Sequence, residues 1–277
     1  MLGGMHLEEL HPDAADEIDD LRGSIDWSPG GWFLSPMIRA GGCVLGRRDA
    51  SGRLIAMGGA ALFEPMGFIC NMVVRPEWKR QGLGRVVFEG LLGWLRARGI
   101  ERVHLEATEE GKPLYEQYGF AARWESITAV ATGEVEAGDE SGIAQVSESD
   151  WPAIAALDRA AYGGDRSAFL RLVAEGPRCE EALRLVEGGR LTAFGFRLPG
   201  RIGPLVAADA SSAEKLARAL AHRSGAGTLA PVGHPQHAAM WQRLGFEIDP
   251  YDVRMAMGLP VDDAPEMVFA MLNGGVG

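Results

Sequence analysis

The residues Lys79-Arg80-Gln81-Gly82-Leu83-Gly84-Arg85 place two glycines one position apart, after an apolar run of strand character and before one of helical character. Glycine lets the main chain come close to a ligand, and the first N–H groups of a helix have no partner inside it. With the helix dipole they favour an anion, and a pyrophosphate suits such a place. Simple turn formation is the other use of glycine at a strand–helix junction, so the motif takes its meaning from its neighbours. Cys70, in the preceding strand, offers a nucleophilic atom. It has no visible activating partner, and a cysteine in an apolar strand serves as a small core residue, so a covalent route is not expected.

The elements around the loop are legible in the apolar pattern. Cys43–Leu45 and Leu54–Phe63 flank the turn Arg47–Gly52, and Glu64–Gly67 leads to a third short strand, Phe68–Val74, stopped by Pro76. From Gly82 the period changes: Leu83, Val87, Leu91 and Leu95 recur every four residues, with Gly99 available as a C-terminal cap. Arg102–Ala107 alternates again, before a short helix near Pro113–Tyr118 and a strand from Phe120. The second half repeats this order, with strands in Leu183–Phe196, a short strand at Ile202–Ala207, a helix over Ala213–His222 and a strand at Thr228–Val232. Met240–Phe246 then echoes Leu114–Phe120, ending on the same Gly-Phe pair. Ala131–Gly142 is acidic and Gly-rich, which predicts domains at 1–130 and 143–277 joined by a 131–142 linker.

Composition excludes several classes. The 277 residues carry 38 acidic against 27 basic side chains, a net charge of -11 that would repel nucleic-acid phosphates. No run reaches the ~18 apolar residues of a membrane span, and the acidic N-terminus is unlike a signal peptide, so a cytoplasmic protein with no membrane partner is expected. Three dispersed cysteines without a CxxC pair or a histidine cluster predict neither disulfides nor a metal site.

Phe68–Phe120 resembles the central motif of the Gcn5-related N-acetyltransferase (GNAT) superfamily, whose loop reads Arg or Gln, two residues, Gly, one residue, then Gly or Ala. Lys79 stands at the first position and keeps its positive charge; Gly82 and Gly84 fill the glycine positions, and Leu114–Phe120 matches the superfamily's tyrosine-bearing helix. The resemblance implies an α/β fold with a mixed sheet, as two tandem acyl-CoA N-acyltransferase domains, the second degenerate. It implies acetyl-CoA as cosubstrate, paired along Met72, Val73 and Val74 and held at its diphosphate by Lys79, Arg80, Gln81, Gly82, Leu83, Gly84 and Arg85. A strand amide near Asn71 would face the thioester.

By the same resemblance Tyr115 protonates the departing thiolate, the alternative being a core tyrosine bonded to backbone. An amine acceptor must shed a proton, and the strand before the loop has no carboxylate to receive it. Glu106 is the first candidate base and His104 the second. Thr108 occupies a place near the cofactor where many relatives have Asn. Trp27–Phe33 could form a lid over the acceptor or anchor its own loop. In the second half Asp209 opposes a phosphate and Trp241 replaces the tyrosine, so no cofactor is expected there. The expected activity is acetyl transfer to a small-molecule amine, by a monomer with an internal repeat or by a homodimer. A noncatalytic acetyl-CoA sensor is the rival, and longer acyl chains or a hydroxyl acceptor form a third reading.

Overall fold

The computed structural model describes residues 6–27, 30–260 and 262–274. The chain divides into two compact units, 1–105 and 106–277. The first contains β1 (Glu8–Glu9), α1 (Ala15–Gly23), α2 (Gly31–Arg39), β2 (Cys43–Arg48), β3 (Leu54–Phe63), β4 (Met66–Val74) and α3 (Leu83–Arg96). It also holds most of β5 (Arg102–Ala107), whose last two residues open the second unit. Its strands lie in the order β1-β2-β3-β4-β5. All pairings are antiparallel except β4 with β5, which is parallel.

Helix α3 forms because its apolar residues keep to one stripe: Leu83, Val87, Phe88, Leu91, Leu92 and Leu95 are all buried. At ~1.5–3 kcal/mol for each large side chain, this face holds the helix on the sheet with on the order of 10 kcal/mol. Gly58 makes the close approach possible, since a Cβ there would sit 2.8 Å from Leu91 Cδ1.

The second unit follows with α4 (Lys112–Glu116), β6 (Ala121–Ala131), β7 (Ile143–Gln145), α5 (Trp151–Tyr162), α6 (Ser167–Ala174), β8 (Glu181–Glu187) and β9 (Arg190–Leu198). Then come β10 (Arg201–Ala207), α7 (Ala210–His222), β11 (Leu229–Val232), α8 (Ala238–Arg243), β12 (Phe246–Met257) and β13 (Val268–Ala270). Its sheet runs β12-β6-β11-β10-β9-β8-β7, with β13 also bonded to β10. The core gathers Leu205, Leu216, Leu220, Trp241, Phe246 and Phe269.

The repeated element order is present, and the fold is the mixed α/β arrangement expected. Packing nevertheless divides the chain before Glu106, not within 131–142. The reason is β6, which pairs with β12 on one edge and β11 on the other, tying the last strand of the first repeat to strands of the second. The expected boundary follows the repeat in the sequence; hydrogen bonding groups the strands differently. Among the described residues no helix is long and apolar enough to cross a membrane.

Candidate functional site

In the first unit, β4 leaves one of its two neighbours, β5, before it ends. Its parallel pairing with β5 runs from Met66↔Arg102 to Ile69↔Leu105 and stops. From Cys70 to Val74 that edge has no strand partner among the described residues, so Met72, Val73 and Val74 present main-chain groups there. On the other edge the register to β3 passes from Gly59↔Cys70 to Met57↔Val73, so Asn71 and Met72 together oppose Gly58 in a bulge.

The chain then turns at Pro76–Trp78 and enters the loop. Arg80 has φ 60 and Gly82 φ 82, and Gly82 is the N-cap of α3. No side chain caps that helix and its first turn carries no acid. Its first carbonyl acceptor is Gly82, which Val86 N–H reaches at 3.1 Å, so the N–H groups of Leu83 and Gly84 precede the first i to i+4 bond of the helix. Lys79, Arg80, Gln81, Gly82 and Arg85 are exposed, while Leu83 is buried beneath the turn. A Cβ at Gly84 would meet Val74 Cγ2 at 3.7 Å, an ordinary van der Waals contact.

Buried Arg75 fixes the approach to the loop, donating from Nε to Leu54 O at 2.8 Å and pairing with Asp20. No local pattern marks it, because an arginine beside a proline reads as a surface residue. Asp19 caps α2, accepting from the N–H groups of Gly30 and Gly31 at 2.7 Å each. Of the expected lid, Ser28 and Pro29 lie outside the described residues. Trp32 and Phe33 belong to the first turn of α2, with Phe33 buried, and Trp27 is covered by the Arg22 guanidinium at 5.1 Å.

Burial pushes the Cys70 thiol up to about 12, and Met37 Sδ lies 3.7 Å from it, so no thiolate is available for covalent chemistry. His104 is buried on β5.

In the second unit the predicted groups fall into a network. The Glu106 side chain is 1% exposed and forms an ion pair with Arg254, itself buried on β12. Ser126 Oγ donates to Glu106 at 2.9 Å, and Arg254 Nη2 reaches Met271 Sδ at 3.0 Å. Burial raises the Glu106 carboxyl above its usual range, with Arg254 opposing that shift. Tyr115, on α4, is buried with its ring 6.2 Å from Phe120, and burial followed by the charge of Asp252 raises its phenol. Thr108 is exposed and its Oγ1 accepts from Gly111 N at 3.2 Å, so it shapes the turn into α4.

Sequence reasoning missed Asp252. It lies two residues before Arg254 on β12, where Tyr251 and Asp252 together oppose Ser126 in a bulge, and its carboxylate has neither a hydrogen bond nor an ion pair among the described residues. Burial, then the nearby Glu106 charge, pushes it up to about 6. Only the register of a distant strand brings it beside the Glu106 pair.

The corresponding places in the second repeat are filled by the chain itself. Strand β10 bulges at Gly203–Pro204, two residues against one, as β4 does at Asn71–Met72. It pairs with β11 only at Arg201↔Leu229. Beyond that point β13 enters the gap, pairing Ala270 and Val268 with Leu205 and Val206 while Met271 N donates to Pro231 O at 2.7 Å. Helix α7 is capped by Asp209, which accepts from Ser212 N at 2.9 Å. Trp241, at the place of Tyr115 in the repeat, donates Nε1–H to Phe269 O on that inserted strand at 3.0 Å. Among the described residues no group of three or more His, Cys, Asp or Glu side chains could hold a metal ion.

Comparison with known proteins agrees with this geometry. Residues 8–120 match the acetyltransferase (GNAT) family model, and residues 154–270 match a second acetyltransferase (GNAT) domain model. The chain is 25% identical over 272 residues to the uncharacterized N-acetyltransferase YitH of Bacillus subtilis, covering 95% of this chain and 90% of that one. In fold it is similar to a crystal structure classed as an acetyltransferase from Pyrococcus horikoshii, with TM-score 0.83, 18% identity, and coverage of 100% and 97%. A Gcn5-related N-acetyltransferase from Sphaerobacter thermophilus gives TM-score 0.62 at 14% identity, covering 95% and 100%. The chain belongs to the GNAT acetyltransferase family and carries two of its domains in tandem.

Proposed function

We propose that this N-acetyltransferase moves the acetyl group of acetyl-CoA to the amine of a small molecule, using the donor site of the first unit. The observation that carries this reading is the contrast between equivalent places. The second repeat closes its strand gap with β13 and its helix N-terminus with Asp209, while in the first, among the described residues, no strand pairs with the β5-side edge of β4 from Cys70 to Val74 and no side chain caps α3. An extended, amide-bearing arm ending in a diphosphate has the hydrogen-bonding pattern of β13 plus the charge of the Asp209 carboxylate. Met72, Val73 and Val74 would pair with the arm. Lys79 to Arg85 would hold the diphosphate, chiefly through main-chain N–H groups.

In the reaction the amine nitrogen bonds to the acyl carbon, the carbon–sulfur bond breaks, and the thiolate takes a proton. Tyr115 is assigned as the proton donor: its raised phenol keeps the proton at neutral pH, and its counterpart Trp241 donates to what fills the other gap. We assign the base to Asp252 in preference to Glu106. Glu106 is committed to Arg254 and Ser126, whereas Asp252 lacks a cationic partner, as a group meant to meet an ammonium should. Glu106 then acts through Asp252, keeping that carboxyl near the range where it can exchange protons.

Calorimetric titration with acetyl-CoA tests the reading. One site per chain is expected, with at least a ~10²-fold loss of affinity in Gly82→Asp/Gly84→Asp, where two carboxylates face the diphosphate. Failure of the intact protein to bind acetyl-CoA would overturn it.

A further inference from the structure

Asn71 combines three features that folding alone does not ask for. It is a non-glycine residue at φ 52 in the middle of a strand, a region that costs of order 1 kcal/mol or more and is kept where the surroundings demand it. Its side chain is buried, yet Nδ2 has no hydrogen-bond partner. The orientation of the amide is nonetheless set: Arg22, on α1, donates from Nη1 to Oδ1, which assigns Nδ2–H to the opposite side. The Cys70 thiol beside it is at most a weak acceptor. A buried N–H donor left in this condition costs about 1–3 kcal/mol, so its retention calls for an explanation.

The second repeat shows what such a bulge faces. At Gly203, the first bulge residue of β10, a side chain would run into the Met271 carbonyl, part of the segment that fills the gap beside the strand. The bulge is therefore where the strand comes closest to the material inserted next to it. In β4 the inserted material lies along Cys70–Val74, and Asn71 stands at its bulge, three residues before the strand ends towards the diphosphate loop.

We propose that the Asn71 side-chain amide donates a hydrogen bond from Nδ2 to the thioester carbonyl oxygen of the acyl donor, with Arg22 as the positioning residue that holds the amide in that orientation. This rests on the donor site proposed above. When the amine attacks, the carbonyl π pair moves onto oxygen, and an amide donor held in place by Arg22 would meet the atom that gains charge. As carbon–sulfur cleavage restores the double bond, the donor needs no rearrangement. Arg22 also covers Trp27, and its guanidinium occupies the space where a Gly30 side chain would lie, so the residue that orients the amide is packed into the α1–α2 connection.

The test uses the full chain and carbonyl-labelled acetyl-CoA, with difference infrared spectroscopy reading the thioester stretch. Asn71→Gly is the informative variant, because glycine keeps the positive φ while removing the amide. In the wild type the bound carbonyl should absorb at lower frequency than free acetyl-CoA. In Asn71→Gly that shift should shrink, and in Arg22→Met it should broaden or shrink although β4 is untouched. Calorimetry should show CoA binding unchanged in Asn71→Gly, with acetyl-CoA affinity falling by ~10-fold relative to CoA. An identical stretch in wild type and Asn71→Gly, with both proteins binding acetyl-CoA, would sink the assignment and leave the donor site standing. A wild type that binds neither CoA nor acetyl-CoA would sink the donor site itself.

Discussion

Glu106 and Asp252 are two carboxylates on which burial acts alike and whose partners separate their roles. Arg254 and Ser126 saturate Glu106, so removing its charge would strand a buried guanidinium. Asp252 has no such partner and is raised from 3.8 to about 6. Because its folded pKa lies above its unfolded one, its contribution to stability is fully present below pH ~4 and is lost as pH rises through about 6. At 1.4 kcal/mol per unit the shift bounds this loss at about 3 kcal/mol, which solvent at a half-buried site reduces to about 1–2 kcal/mol. Asp252→Asn is therefore expected to raise the midpoint of thermal unfolding at pH 8 by several degrees and to leave it nearly unchanged at pH 4. The same variant should lose the acid limb near pH 6 from the pH dependence of kcat/KM. Stabilisation at pH 8 together with an intact acid limb would show that the carboxylate is strained but is not the base. Tyr115→Phe should lower kcat by roughly 10²-fold while leaving calorimetric acetyl-CoA affinity unchanged, since in the proposed role the phenol acts only as sulfur departs.

Elements distinguish the two similar halves at the place proposed for the donor. The uncapped α3 and the capped α7 differ by one local device, the Asp209 carboxylate, whereas the gap beside β10 is closed by main-chain bonds from a segment more than sixty residues later. The first was legible in the sequence because an acid at a helix start is a local signal. The glycine loop, the strand before it and the four-residue period of α3 were legible for the same reason. Strand β13 was not, since Val268–Ala270 is three residues long and acquires strand character only from its partners. Arg75, Asp252 and the side-chain setting of Asn71 were hidden likewise, depending on a partner on α1, on a strand register and on a bulge. Asp209→Ala should cost about 1 kcal/mol by loss of the cap, read as a lower urea midpoint with unchanged slope. It should not create a second acetyl-CoA site, because β13 still fills the gap; a stoichiometry of two by calorimetry would contradict that account.

The whole chain joins a duplication in sequence to a different division in packing. Domains drawn from the repeat would cut after residue 130 and before 143, a cut that separates β6 from the strands it serves. Strand β6 pairs with β12 from Ala121↔Ala256 to Ala131↔Phe246 and with β11 from Ile127↔Val232 to Val130↔Leu229. Without it, β12 and β11 each lose a neighbour along most of their length. Ala129 and Ala131 also leave the core that holds Trp241 and Phe246. A fragment of residues 143–277 would thus expose the unpaired edges of the twelve-residue β12 and the four-residue β11 and an opened apolar layer, the conditions under which sheets associate with copies of themselves. A fragment of residues 106–277 retains β6 and should unfold cooperatively in urea as a monomer. The shorter fragment should aggregate or show no cooperative transition by circular dichroism and sedimentation. Equal cooperativity in both would mean that the repeat boundary is also a folding boundary, and that β6 is an attachment to the second unit and not part of its core.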